Sequence, residues 1–382
     1  MEYRQLGNTG MRVSVIGMGC EGFSEDDYKM TGRLFDAAQE MGINYFDLYA
    51  SDPELRKAVG QALHGRRDRF FIQGHICSIW ENGQYVRSRN LKKVKKHFEE
   101  MMKLLDTDYL DVGMIHYCDS MKDWDDIINN GILDYAVELK ESGRIRHIGL
   151  SSHNPLVAEK AVLTGDIEVL MFAVNPCYDL QPASEDVEDL WADRTYADTY
   201  VNMDPDRQRL YELCEEKGVG ITVMKAFGGG DLLNMELSPA GVALTVNQCI
   251  HYALSRPGVA VVLAGAHDTD QLAASAAYCD AEEEERDYAD AFSTFPRVSW
   301  EGHCMYCSHC APCPSHIDVA MVTKFLNLAG TKKEIPETVR EHYLSLERHG
   351  GDCIACGACE KRCPFHVPII ENMKKARERF GL

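Results

Sequence analysis

Between residues 13 and 264, short apolar runs alternate with longer stretches in which apolar and charged positions recur at helical spacing. The runs are residues 13–18, 43–47, 70–75, 110–116, 145–151, 169–175, 220–225 and 259–264. They are apolar on both faces, as strands of a parallel sheet covered on both sides must be. The stretches between them read as helices. In the clearest, Leu91, Val94, Phe98, Met101, Met102 and Leu105 share one face, and Lys92, Lys93, Lys95, Lys96, Glu99 and Glu100 fall elsewhere. Ser24 followed by Asp27 has the spacing of a capping box opening the first helix. Eight strand–helix repeats predict a (β/α)8 (TIM) barrel of the α/β class over residues 1–280.

After the sixth run, residues 181–205 form a long polar connection, longer than a routine barrel loop. Beyond the barrel the pattern changes. An acidic stretch at 281–290 leads away, so residues 281–299 read as a linker and 300–382 as a second, small and mainly helical domain. Its predicted helices are 317–328, 336–348 and 371–380. Gly17-Met18-Gly19-Cys20-Glu21-Gly22 formally matches a dinucleotide-binding fingerprint after a strand. That motif needs its helix to start inside the glycines. Here the capping box starts the helix later, and eight strands exceed what such a sheet uses.

Net charge, 40 − 60 = −20, disfavours nucleic acid and anionic membrane surfaces. Residues 1–10 are polar, unlike a signal peptide, and the longest apolar runs, such as 259–266, are too short to span a bilayer. Fifteen cysteines without a secretion signal point to a reducing, cytoplasmic setting.

Eight of those cysteines form two ladders. Cys304, Cys307, Cys310 and Cys313 run into Pro314; Cys353, Cys356, Cys359 and Cys363 run into Pro364. The second has the bacterial-ferredoxin spacing, in which three thiolates hold one cubane and the fourth reaches the other cluster. The expectation is therefore two [4Fe–4S] clusters. One would be held by Cys304, Cys307, Cys310 and Cys363, and the other by Cys353, Cys356, Cys359 and Cys313. Four-cysteine zinc sites are the rival reading, but they separate their pairs by a longer spacer. Cubanes also imply an anaerobic host.

The segment Tyr3-Arg4-Gln5-Leu6-Gly7-Asn8-Thr9-Gly10, followed by Val13-Ser14, resembles the opening of aldo/keto reductases. The resemblance continues through Gly42-Ile43-Asn44-Tyr45-Phe46-Asp47 and residues 108–116, 145–152 and 220–225. The ladders are similar to the ferredoxin module that some of these reductases carry at the C-terminus. The family resemblance implies NADPH-dependent carbonyl reduction by an Asp-Tyr-Lys-His set at the barrel mouth. Asp47 matches the aspartate and His116 the histidine. Asp52 stands where the tyrosine is expected and His75 where the lysine is, with Tyr49 on the same turn as a substitute donor. For the nicotinamide, Ser151 matches, Asn175 replaces a glutamine and Tyr178 keeps a ring contact. Ser152, His267, Ala274 and Ser275 depart from the pattern.

Strand ends thus carry Asp47, His75, His116, His153 and His267, with Cys20, Cys77, Cys118 and Cys177 close behind. Such a set fits a proton relay or a metal site, and ordinary loop residues are the plain alternative. The leading expectation is an iron–sulfur oxidoreductase acting on a small carbonyl-type substrate at the mouth. Asp47, Asp52, His75, His116 and Tyr49 would be its acid–base or positioning groups, and electrons would arrive through the clusters, with a redox partner protein. The alternatives are an NADPH-dependent reductase with structural clusters, and a non-catalytic electron carrier.

Overall fold

The structure, a computed structural model, describes residues 1–20, 28–190, 200–293, 298–299, 302, 304–330 and 334–382. Eight parallel strands close into a barrel: β1 (Ile16–Gly19), β2 (Tyr45–Leu48), β3 (Phe71–Ile76), β4 (Leu110–Ile115), β5 (Ile145–Ser152), β6 (Val169–Ala173), β7 (Gly220–Met224) and β8 (Val259–Gly265). Every strand lies beside its chain neighbours, and β8 returns to β1 through Val262↔Ile16 and Gly265↔Gly19. Closure rules out the open sheet of a dinucleotide-binding fold; Gly17 and Gly19 lie inside β1, and Glu21 and Gly22 lie outside the described residues. The Ser24–Asp27 capping box also lies outside them; the first helix is described over Tyr28–Met41.

The first predicted strand divides in two. Arg12–Ser14 pairs antiparallel with Tyr3–Gln5, and only then does β1 begin. This hairpin floors the barrel: Leu6, Met11 and Val13 pack with Tyr45, Val112, Met114, Val169, Met171, Val261 and Leu263 in one interior cluster. Gly7 permits the close approach; it has φ +51°, and a Cβ there would lie 2.3 Å from the Gly218 carbonyl oxygen. Phe46 of β2 meets Phe35 and Phe70, the three rings lying at centroid distances of 4.3 Å (Phe35–Phe46), 5.5 Å (Phe35–Phe70) and 5.0 Å (Phe46–Phe70). Each such pair adds about 0.5–1.5 kcal/mol beyond area burial.

Strand period fixes what the lumen receives. Side chains two apart share a face, so Tyr45 and Asp47, Gln73 and His75, and Met114 and His116 point the same way in pairs. The first member of each pair packs lower in the lumen; the second lies one layer nearer the C-terminal end.

After the barrel come helices at Val319–Ala329, Glu337–Leu344, Ala358–Arg362 and Ile369–Phe380. They are continuous with the barrel's packing. One apolar cluster runs from the barrel helices through Met305, Ile317, Phe325, Tyr343 and Phe380. Arg256 Nη2 and the Tyr288 hydroxyl both donate to the Met305 carbonyl, at 2.7 and 2.6 Å.

The structure corrects the iron–sulfur expectation. Among the described residues, no group of three or more His, Cys, Asp or Glu could hold a metal ion. Cys304, Cys307, Cys310, Cys363, Cys353, Cys356, Cys359 and Cys313 are free cysteines. The two [4Fe–4S] clusters, the separate ferredoxin-like domain, the electron route through it and the anaerobic setting all fall with that finding. The redox partner protein rested on the same ladders and loses its support. The metal reading of the barrel mouth fails on the same ground. No helix among the described residues is long and apolar enough to cross a membrane.

Candidate active site

At the C-terminal end of the barrel, Asp47, His75 and His116 form one hydrogen-bonded chain. His75 Nε2 stands 2.9 Å from Asp47 Oδ1, and His75 Nδ1 stands 2.7 Å from His116 Nδ1. All three are buried. A second layer holds the aspartate. Gln73 Nε2 donates to Asp47 Oδ1 at 2.6 Å, and the Gln73 carbonyl oxygen accepts from Tyr45 at 2.8 Å and Thr222 at 3.2 Å. The other carboxylate oxygen, Asp47 Oδ2, is buried with no hydrogen-bond partner. Desolvation, with His75 and the nearby arginines, holds His116 well below the usual imidazole range, so its ring is neutral at pH 7.

The wall is aromatic. Tyr49 stacks parallel to His116 at 5.9 Å, and Tyr85 reaches it from the other side, its hydroxyl 2.7 Å from His116 Nε2. Tyr85 comes from a hairpin (Ser78–Glu81 with Gln84–Arg87) that rises directly from β3. Asn82 and Gly83 make its turn, both with positive φ, as a two-residue hairpin requires. Sequence reading missed this hairpin and Tyr85 with it. The signal was Asn82-Gly83 between Ile79-Trp80 and Tyr85-Val86.

The remaining sequence candidates divide. Asp52 caps the helix Pro53–Leu63, its Oδ1 accepting from the Glu54 and Leu55 amides at 2.8 and 3.0 Å. Asn175 serves its own loop: Oδ1 accepts from the Cys177 and Tyr178 amides, and Nδ2 donates to the Lys225 carbonyl. Ser151 differs, because its hydroxyl is buried near the end of β5 without a partner. Tyr178 is buried, which pushes its phenol up to about 12. His153 pairs with Asp119 at 2.9 Å, outside the chain of three. Cys77, Cys118 and Cys177 are buried thiols raised by desolvation. Arg87 and Arg89 both pair with Asp123, at 3.1 and 2.7 Å.

The profile of the aldo/keto reductase family matches residues 15–244, the strands that carry this site. The chain belongs to the aldo/keto reductase family. It has a (β/α)8 barrel. Among curated relatives, the aldo-keto reductase YhdN of Bacillus subtilis is 27% identical over 161 residues, 40% of this chain and 47% of its own length. The L-galactose dehydrogenase of Arabidopsis thaliana is 29% identical over 164 residues, 40% of this chain and 48% of its own. The chain spans about half the length of the curated relatives it matches. Among solved structures, the holo form of aldo-keto reductase AKR11C1 from Bacillus halodurans superposes with a TM-score of 0.59 at 25% identity, covering 77% of this chain and 96% of that one.

Proposed function

We propose that this aldo/keto reductase reduces a small carbonyl compound at the barrel mouth with a nicotinamide dinucleotide as hydride source. The observation that carries the reading is the buried chain Asp47–His75–His116 at the C-terminal end of the closed barrel, where enzymes of this fold place their chemistry. The bound nicotinamide would supply a hydride to the carbonyl carbon. The Ser151 hydroxyl, buried and unpartnered, suits a carboxamide, and Tyr178 offers a ring face. Asn175, held by its own loop, is a weaker fit to that role.

Asp47 orients His75 through Nε2, and His75 orients His116 through the Nδ1 pair. Only one proton fits between two nitrogens 2.7 Å apart, so the tautomers of the two rings are locked together. A proton leaving at the His116 end is thus matched by one moving along the chain from Asp47. Asp52 is left out, since its acceptor oxygen already caps a helix.

Titration with NADPH, followed by tryptophan fluorescence, tests the cofactor. Trp80 lies in the hairpin at the mouth and reports on it. Saturable quenching at micromolar NADPH is expected. No binding at millimolar NADPH would refute nicotinamide dependence.

A further inference from the structure

We infer that Tyr85, on the mouth hairpin, is the proton donor to the substrate oxygen, in place of the tyrosine that Asp52 has displaced. The inference rests on the nicotinamide reading above and adds to it the acid that reading lacks.

Tyr85 is 40% exposed as a residue, and its hydroxyl contacts His116 Nε2 at 2.7 Å. It extends the buried chain to the surface: Asp47, His75, His116, Tyr85, joined by contacts of 2.9, 2.7 and 2.7 Å. Three links hold three protons. With a fourth proton on the phenol pointing outward, all three link protons sit one place nearer Asp47. Asp47 then donates to His75, His75 to His116, and His116 Nε2 to the Tyr85 oxygen.

In reduction the hydride goes to the carbonyl carbon and the outward Tyr85 proton to the oxygen, giving the alcohol. The O–H bond of Tyr85 breaks, each link proton moves back one place, and Asp47 is left as carboxylate. Solvent returns the proton after product leaves. Oxidation of an alcohol runs the same steps in reverse, starting from the three-proton chain.

The groups facing the pair are Tyr49, Tyr117, Arg87, Arg89, His75 and His153. Burial pushes the Tyr85 phenol up to about 12 and lowers His116, so neither ring ionises alone near neutrality. The ionisation belongs to the relay as a unit. Raising the pH removes the fourth proton, so reduction falls and oxidation rises through one shared step.

Tyr85→Phe keeps the ring and removes only the hydroxyl. Its reductive kcat should fall at least about 100-fold while NADPH affinity stays within about twofold, and the shared pH step should vanish from what activity remains. Retained NADPH binding and an unchanged melting temperature show that the variant is folded. A kcat within about threefold of wild type, with the pH step intact, would overturn the inference alone. If wild-type protein binds no NADPH, the nicotinamide reading fails and the inference fails with it.

Discussion

At the residue scale, the site rests on which side chains occupy the last lumen layer. Asp47 and His116 were legible because they sit at strand ends in a recognisable family pattern, and His75 because it replaces a residue that the pattern specifies. Gln73 and Tyr45 were not legible: buried polar side chains on a strand read like any other interrupted apolar run. Their meaning appears only when the barrel closes and brings Thr222 from the far side to within 3.2 Å of Gln73. Asp52 is the opposite case, because its match to a catalytic position hid a plain N-cap before Pro53. Asp47→Asn should lower kcat about 10²–10³-fold, within the range for lost proton transfer, because an amide cannot accept and release the relay's proton. The fold should persist, since the Oδ1 contact with His75 survives. Steady-state kinetics beside a thermal melt check this, and an unchanged kcat would remove Asp47 from the chemistry.

At the element scale, all eight barrel strands could be read from apolar runs. The floor hairpin absorbed part of the first run, and the mouth hairpin was overlooked because Asn82-Gly83 lies inside what resembled a loop. The cysteine ladders show the converse limit. Spacing specifies which residues can act together, but a metal site also needs side chains brought into a holding arrangement, and none is found among the described residues. The helices of that region instead lock onto the barrel. His342, on the helix Glu337–Leu344, pairs with Glu215, on Pro205–Lys217. The hydrogen bond to Glu215 raises His342 above the usual imidazole value, and Glu215 is held below the usual carboxylate range by His342 and Lys324 against the effect of its burial. A group raised on folding stabilises below its unfolded pKa, about 6.5, and loses that stabilisation as pH climbs through the folded value. His342→Ala should therefore lower Tm more at pH 5.5 than at pH 8.5. Half-exposed His342 makes the effect modest. Equal losses at both pH values would show that the pair contributes through packing alone.

At the scale of the whole molecule, closure of the barrel turns scattered sequence features into a site. Eight parallel strands deliver Asp47, His75 and His116 to one end, the floor hairpin seals the other, and the mouth hairpin brings Tyr85 over the top. The C-terminal helices share the barrel's apolar core and its hydrogen bonds to Met305. The catalytic claim concerns the barrel mouth alone. Its most direct test is isotopic. The protein is incubated with NADPH carrying deuterium at the transferable position of the nicotinamide, together with a panel of small aldehydes and ketones, and the products are read by mass spectrometry. Deuterium on the carbinol carbon of a product alcohol, absent when His116 is replaced by alanine, is the predicted result. Alcohol formed without deuterium, or no alcohol from any member of the panel despite saturating cofactor, would contradict hydride transfer at this mouth.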